Sequence, residues 1–373
     1  MAEPSKLIKT FLELVAIDSE SLNERGVADY ILARLAPRAA SVFEDDAAAK
    51  LGGNCGNLIL KLKGSIPGAP VIMLNAHMDT VKPGIGIKPV FDGDMIRSGG
   101  DTILGSDDKA GVAVIIETVD RLFEEKAPHG DLLLVFTISE EIGLRGAANL
   151  DSKLLEADFC YTLDNSGGAG VIFVGAPSHD KLTVRIKGRA AHAGVEPEKG
   201  VSAIQVAAAA ISKMKLGRID DETTANVGVI RGGRATNIIP ETVVVEAEAR
   251  SHDNKKLEVQ IDSMRAAFES AAAEFGATIE MEHEKEYLAY RLTEEMPVVK
   301  VAAAAARAMG VAPSLKVSGG GSDANIFNAH GLPSAPLGAA MRNCHSNKEE
   351  MSVSELEGVL KFVLEIVKNP NAC

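Results

Sequence analysis

The feature that most constrains this fold is the alternation of short apolar runs with longer helix-like segments. Strand-like runs occupy 57–63, 70–75, 131–138 and 158–163, and apolar residues at helical spacing mark 4–15, 24–35 and 109–125. Runs this short and this apolar fit strands covered on both faces. They predict a three-layer α/β domain around a largely parallel sheet. In such sheets ligands gather beyond the carboxyl ends of the strands, so polar residues there deserve the closest reading.

Near residue 180 the pattern changes. A strand at 181–188, a helix at 201–216, strands at 224–231 and 242–250, a helix at 254–275 and a strand at 278–287 follow in the β-α-β-β-α-β order of a ferredoxin-like unit. Val245, Ala247 and Ala249 alternate with Glu246, Glu248 and Arg250, which gives a sheet with one buried and one wet face. An alanine-rich helix at 297–309 and a last helix at 353–368 resume the first style. The expected domains are 1–179 together with 291–373, and 180–290 inserted between them. The free edges of the small sheet also admit pairing with a second copy.

Composition narrows the partners. Hydrophobic residues make up 46% of the 373, enough for two cores, while a net charge of −13 leaves no basic stripe for nucleic acid. No apolar run reaches membrane-spanning length, and the N-terminus lacks a basic region followed by an apolar core. The four cysteines, Cys55, Cys160, Cys344 and Cys373, form no Cys-x-x-Cys pair, which fits a reducing compartment and makes the cytoplasm the expected location.

Five polar elements carry the chemistry. Asn75-Ala-His-Met-Asp-Thr80 ends an apolar run with His77 and Asp79 two apart, so a strand would project them together, as an imidazole ligand and the carboxylate that aims it. Gly105-Ser-Asp-Asp-Lys-Ala-Gly111 precedes an apolar helix, and Asp107 and Asp108 alone are equally accounted for as helix N-terminal groups. Ser139-Glu140-Glu141 ends a strand with two carboxylates facing opposite ways, one suited to a metal and one to a proton, although a solvated turn reads the same. Asp164, and His345 in Asn343-Cys-His-Ser-Asn-Lys-Glu349, complete a mixed nitrogen and oxygen set suited to zinc. Gly319-Gly-Gly321 lacks a following Gly-Lys-Ser/Thr and is read as close backbone approach to a substrate rather than a phosphate cradle.

In this order the five elements resemble the dinuclear zinc peptidase family of peptidase T, aminoacylase and glutamate carboxypeptidase, and most of all its peptidase T-like branch. Gly319-Gly-Gly-Ser-Asp-Ala-Asn325 and Gly331-Leu-Pro333 extend the match over nearly the whole chain. The resemblance implies a zinc-exopeptidase-like catalytic domain with a ferredoxin-like lid that pairs two chains into a homodimer. It implies two divalent ions, zinc first with cobalt or manganese as alternatives, one held by His77, Asp107 and Asp164 and the other by Asp107, Glu141 and His345. A cis peptide bond between Asp107 and Asp108 belongs to the same pattern. Asp79 would orient His77, Glu140 would act as general base toward a metal-bridged hydroxide, and His192 in Ala191-His-Ala-Gly194 would stabilise the oxyanion. Asn237, Arg250, Gly320 and Asp323 would touch the substrate, arginine's planar fork suiting a carboxylate. The implied activity is release of N-terminal residues from short peptides. Deacylation of N-acyl amino acids or dipeptide cleavage is the alternative, and a non-catalytic peptide binder is a third.

Overall fold

The computed structural model describes residues 3–372. By packing, the chain forms two units: one runs to Gly175 and resumes over Arg291–Ser318 and from Ser322, the other comprises Ala176–Tyr290 with Gly319–Gly321. The second therefore begins earlier than the expected 180, because its first strand already starts at Ser178.

In the first unit six strands lie in the order Ser41–Glu44, Leu58–Leu62, Leu132–Thr137, Ile72–His77, Phe159–Thr162 and Ser334–Pro336. The last four run parallel, and Leu58–Leu62 runs antiparallel to both of its neighbours. All residues of Ile72–His77 and Leu132–Thr137 are buried, the burial on both faces that their unbroken apolar runs require. The helix Ser106–Glu125 packs against Ile72–His77 and against the helices Lys6–Val15 and Val353–Lys368. This is a three-layer α/β domain, and its parallel order sends the ends of Ile72–His77, Leu132–Thr137 and Phe159–Thr162 out on one side.

A four-stranded sheet of Met341–Arg342, Glu350–Ser352, Met95–Ser98 and Pro89–Asp92 was not expected from the sequence. Its strands are only two to four residues long, too short for periodicity to register. The turn Gly93-Asp94, with Gly93 at φ +63°, is nonetheless a hairpin signal.

An ion network fastens the long helix to its neighbours. Glu117 is 1% exposed and accepts from Thr10 Oγ1 at 2.8 Å, and its carboxylate lies 3.1 Å from an Arg34 nitrogen. Arg34 also reaches Asp120 at 2.6 Å, as does Arg38. Removing one partner of a buried pair strands the other charge, which costs about 3–5 kcal/mol. Arg34→Ala should fall at the low end, about 3 kcal/mol in urea unfolding, since Arg38 still holds Asp120. A change inside about 0.5 kcal/mol, the scale of an ordinary surface substitution, would show that the network contributes nothing.

The second unit is a five-stranded antiparallel sheet in the order Gly217–Arg218, Thr223–Gly232, Thr242–Ser251, Ser178–Lys187 and Thr278–Tyr287, carrying the helices Ala203–Lys213 and Asn254–Phe275. Apart from the short first strand this is the ferredoxin-like order. Along Thr242–Ser251 burial alternates as the sequence predicts, with Val243, Val245, Ala247 and Ala249 inside beside Val206, Ile261, Met264 and Phe268. Cys55, Cys160 and Cys344 are free thiols, and among the described residues no helix is long and apolar enough to cross a membrane.

Candidate metal centre

His77 ends its strand, buried, with the ring fixed from behind. Nδ1 lies 3.0 Å from the main-chain oxygen of Asp79 and 3.3 Å from its Oδ1. The strand stops at His77, so Asp79 reaches the ring from the irregular stretch that follows rather than by strand alternation. Its carboxylate does more than orient. Asp79 accepts from Ser21 Oγ at 2.6 Å and from the main-chain N–H groups of Glu140 at 2.9 Å and Glu141 at 3.2 Å, so it also holds the acidic pair in place.

The forward nitrogen of His77, Nε2, sits 3.1 Å from Asp107 Oδ1. Asp107 Oδ2 in turn lies 3.3 Å from His345 Nε2, and that nitrogen is 2.9 Å from Glu141 Oε2. One carboxylate thus stands between two imidazoles. Asp107 and Asp108 have non-helical backbone angles and a cis peptide bond between them, so the regular helix starts at Lys109. Asp108 is not part of the open cluster. It is buried, accepting from His77 N–H at 3.2 Å and Gly111 N–H at 3.1 Å. A Cβ at Gly111 would meet Asp108 Oδ1 and the Leu163 carbonyl at 2.4 Å each, so only glycine allows this closure.

Charge decides what such a cluster can hold. Burial opposes ionisation of Asp107, yet the His345 and His77 rings facing it keep its carboxyl below the usual carboxylate range. Burial also works against charging His77, but Asp107 and Asp79 carry it well above its ordinary value, and Asp107 and Glu141 raise His345 to about 10. Burial pushes Asp164 and Glu140 well above the carboxylate range, with Asp107 adding to the first and Asp164 to the second. An imidazole lone pair facing a carboxylate oxygen at about 3 Å needs a proton or a cation between them. Glu141 Oε1 has no hydrogen-bond partner although it is buried, and ligand atoms of His77, Asp107 and Glu141 lie within 4.8 Å of one another. The set fits divalent cations: imidazole nitrogens, carboxylate oxygens and excess negative charge.

Other expected residues fall elsewhere. Asp164 stands two residues past the strand Phe159–Thr162, close enough to influence Asp107 and His77. Asp323, expected to touch substrate, is instead 1% exposed with its carboxylate turned toward Asn75 Nδ2 at 3.4 Å and Thr137 Oγ1. As the first residue of the helix Asp323–Ala329 it faces sheet side chains, and burial raises it to about 6. Gly320 packs with the second unit, where neighbouring Gly321 donates its N–H to Tyr287 Oη at 3.2 Å. In that unit Ala193 N–H donates to the Asn237 carbonyl at 3.0 Å, which brings His192 and Asn237 side by side on an exposed turn. His192 Nδ1 accepts from Gly194 N–H at 3.2 Å, leaving the ring proton on Nε2 as an outward donor. Arg250 is 3.1 Å from Glu248.

Two buried carboxylates escaped the sequence reading. Glu24 Oε1 accepts from Leu22 N–H, Ser139 N–H and Ser139 Oγ, fixing the turn that carries Glu140. Glu349 accepts from Leu104, Gly105, Ser106 and Asp107. Its signal was a glutamate inside the His345 segment.

Two histidines and four carboxyl groups, gathered from strand ends, a helix start and the loop of His345 in a chain that also carries an inserted α+β unit, define a dinuclear metallohydrolase of the exopeptidase kind. Comparison with known proteins agrees. Residues 174–276 match the family described as the peptidase dimerisation domain, and residues 84–170 match M42 glutamyl aminopeptidase. The chain is 43% identical to the uncharacterised protein YqjE of Bacillus subtilis (strain 168), over 99% of both. It is 43% identical to aminopeptidase PepT from Bacillus cereus ATCC 10987, whose crystal structure superposes with a TM-score of 0.89 over 98% of each chain. A tripeptidase from Staphylococcus aureus is 42% identical, with a TM-score of 0.93 over 98% of each. The chain belongs to the peptidase T-like branch of the M20 metallopeptidases.

Proposed function

We propose that this protein is a cytoplasmic dizinc aminopeptidase that removes the N-terminal residue of short peptides, tripeptides foremost. The observation that carries this is Asp107 standing between His77 and His345 with Glu140 fixed alongside. His77, Asp107 and Asp164 would hold one ion, and Asp107, Glu141 and His345 the other. When bound, such ions supply Lewis acidity at the scissile carbonyl and lower the pKa of water from about 15.7 toward about 7.

The protein's own residues do the rest. Asp79 holds the proton of His77 on Nδ1, so Nε2 presents its lone pair to the site. The Glu140 carboxylate takes a proton from the attacking water and returns it to the leaving amine nitrogen. His192 offers its Nε2 proton to the developing oxyanion, and Asn237 and Arg250 are assigned to the substrate's main chain and carboxylate. A lid-paired homodimer, with His192 serving the neighbouring chain, is part of this proposal and is supported by the dimerisation-domain match.

The test is a panel of tripeptides, dipeptides and N-acetyl amino acids offered to zinc-loaded protein, with products identified by mass spectrometry. Release of the free N-terminal residue from tripeptides is the expected result. Cleavage of the N-acetyl compounds with intact tripeptides would make the protein a deacylase instead.

A further inference from the structure

We propose that Glu349 is a positioning residue for the bridging carboxylate of Asp107, and that it couples the two halves of the metal centre. Its side chain is 1% exposed and fully engaged. Oε2 accepts from the N–H groups of Leu104 at 2.8 Å and Gly105 at 2.9 Å, while Oε1 accepts from Ser106 Oγ at 2.6 Å and Asp107 N–H at 3.0 Å. Four donors fill the lone-pair directions of one carboxylate. They come from the non-helical stretch 104–107 that leads into the helix, whose N–H groups need an acceptor from outside the stretch.

The same short segment reaches Asp107 a second time. Glu349 N–H donates to the Ser346 carbonyl at 3.1 Å, closing a turn whose preceding residues Asn343 and His345 have φ of +54° and +61°. That turn sets His345 Nε2 3.3 Å from Asp107 Oδ2 while Glu349 grips the main-chain N–H of the same aspartate. The adjoining strand Glu350–Ser352 pairs with Met95–Ser98, so the grip has a rigid base. Without Glu349, Asp107 is free to turn away from His345. The ion held by Asp107, Glu141 and His345 is then the one that suffers. This rests on the metal assignment proposed above.

Cobalt(II) titration of metal-free protein tests it, read by calorimetry and by the visible absorption that reports ligand geometry. Wild type should take up two equivalents, and failure to do so would sink the metal assignment itself rather than the role of Glu349. Glu349→Gln should keep one equivalent at wild-type affinity and weaken the other about 10- to 100-fold, the usual loss when an outer partner of a ligand is removed. Its absorption for that equivalent should shift. Ser106→Ala removes one of the four bonds and should weaken the same equivalent less. Two wild-type equivalents with an unchanged spectrum in Glu349→Gln would reduce Glu349 to a helix cap and overturn the proposal, even with a lowered melting temperature. Should Glu349→Gln fail to fold, unchanged cobalt binding by Ser106→Ala overturns it equally, and a selective weakening supports it.

Discussion

Glu140→Ala is expected to retain both metal ions and to lose turnover by about 10²- to 10⁴-fold, the range a positioned general base supplies. None of the assigned ligands changes in this variant. The Glu140 side chain makes no structural bond among those described, whereas its main-chain N–H donates to Asp79 and its carbonyl accepts from Gly143 and Leu144. Alanine keeps all three main-chain contacts, so Glu141 stays where it is. The loss should therefore appear in kcat with KM little altered, because water activation rather than substrate binding is removed. Metal analysis alongside steady-state kinetics checks both parts. Undiminished hydrolysis, or loss of metal in parallel with activity, would remove Glu140 from this role.

What the sequence revealed, and what it concealed, divides by the range of the interaction. The helix Asn254–Phe275 and the strand Thr278–Tyr287 lie where periodicity and a terminal glycine predict them, since those signals are local. His77 ends a buried strand and Glu140, Glu141 and Asp164 follow two others, so their position at one side of the sheet was readable from the sequence, because parallel strand ends converge. Glu349 was not. Its partner Asp107 lies 242 residues away, and the main-chain N–H groups of an irregular stretch need an acceptor without saying which residue supplies it. Asp323 was misplaced for a related reason. Its glycine-rich approach resembles a substrate loop, but the aspartate opens a helix packed on the sheet, where Asn75 and Thr137 claim its carboxylate. Asp107 and Asp108 were ambiguous as neighbours at a helix start, and the structure divides them, Asp108 to the backbone and Asp107 to the histidines.

Asp107→Ala should be the most damaging single substitution for metal content, because it alone strikes both proposed sites. Its two oxygens face different imidazoles, Oδ1 toward His77 at 3.1 Å and Oδ2 toward His345 at 3.3 Å, whereas Glu141 pairs through Oε2 with His345 at 2.9 Å. After dialysis the variant should hold well under one equivalent of zinc per chain, while Glu141→Ala and Asp164→Ala each keep close to one. The loss per ion should exceed the roughly 10- to 100-fold typical of an outer partner, since a direct ligand is gone. Unfolding does not account for this expectation. The Asp107 N–H that Glu349 holds is main chain and survives the change, and Asp108 still accepts from His77 and Gly111. Circular dichroism of the metal-free variant should accordingly match wild type. A full equivalent of zinc retained by Asp107→Ala would show that the aspartate serves one ion only, and the bridging assignment would fail.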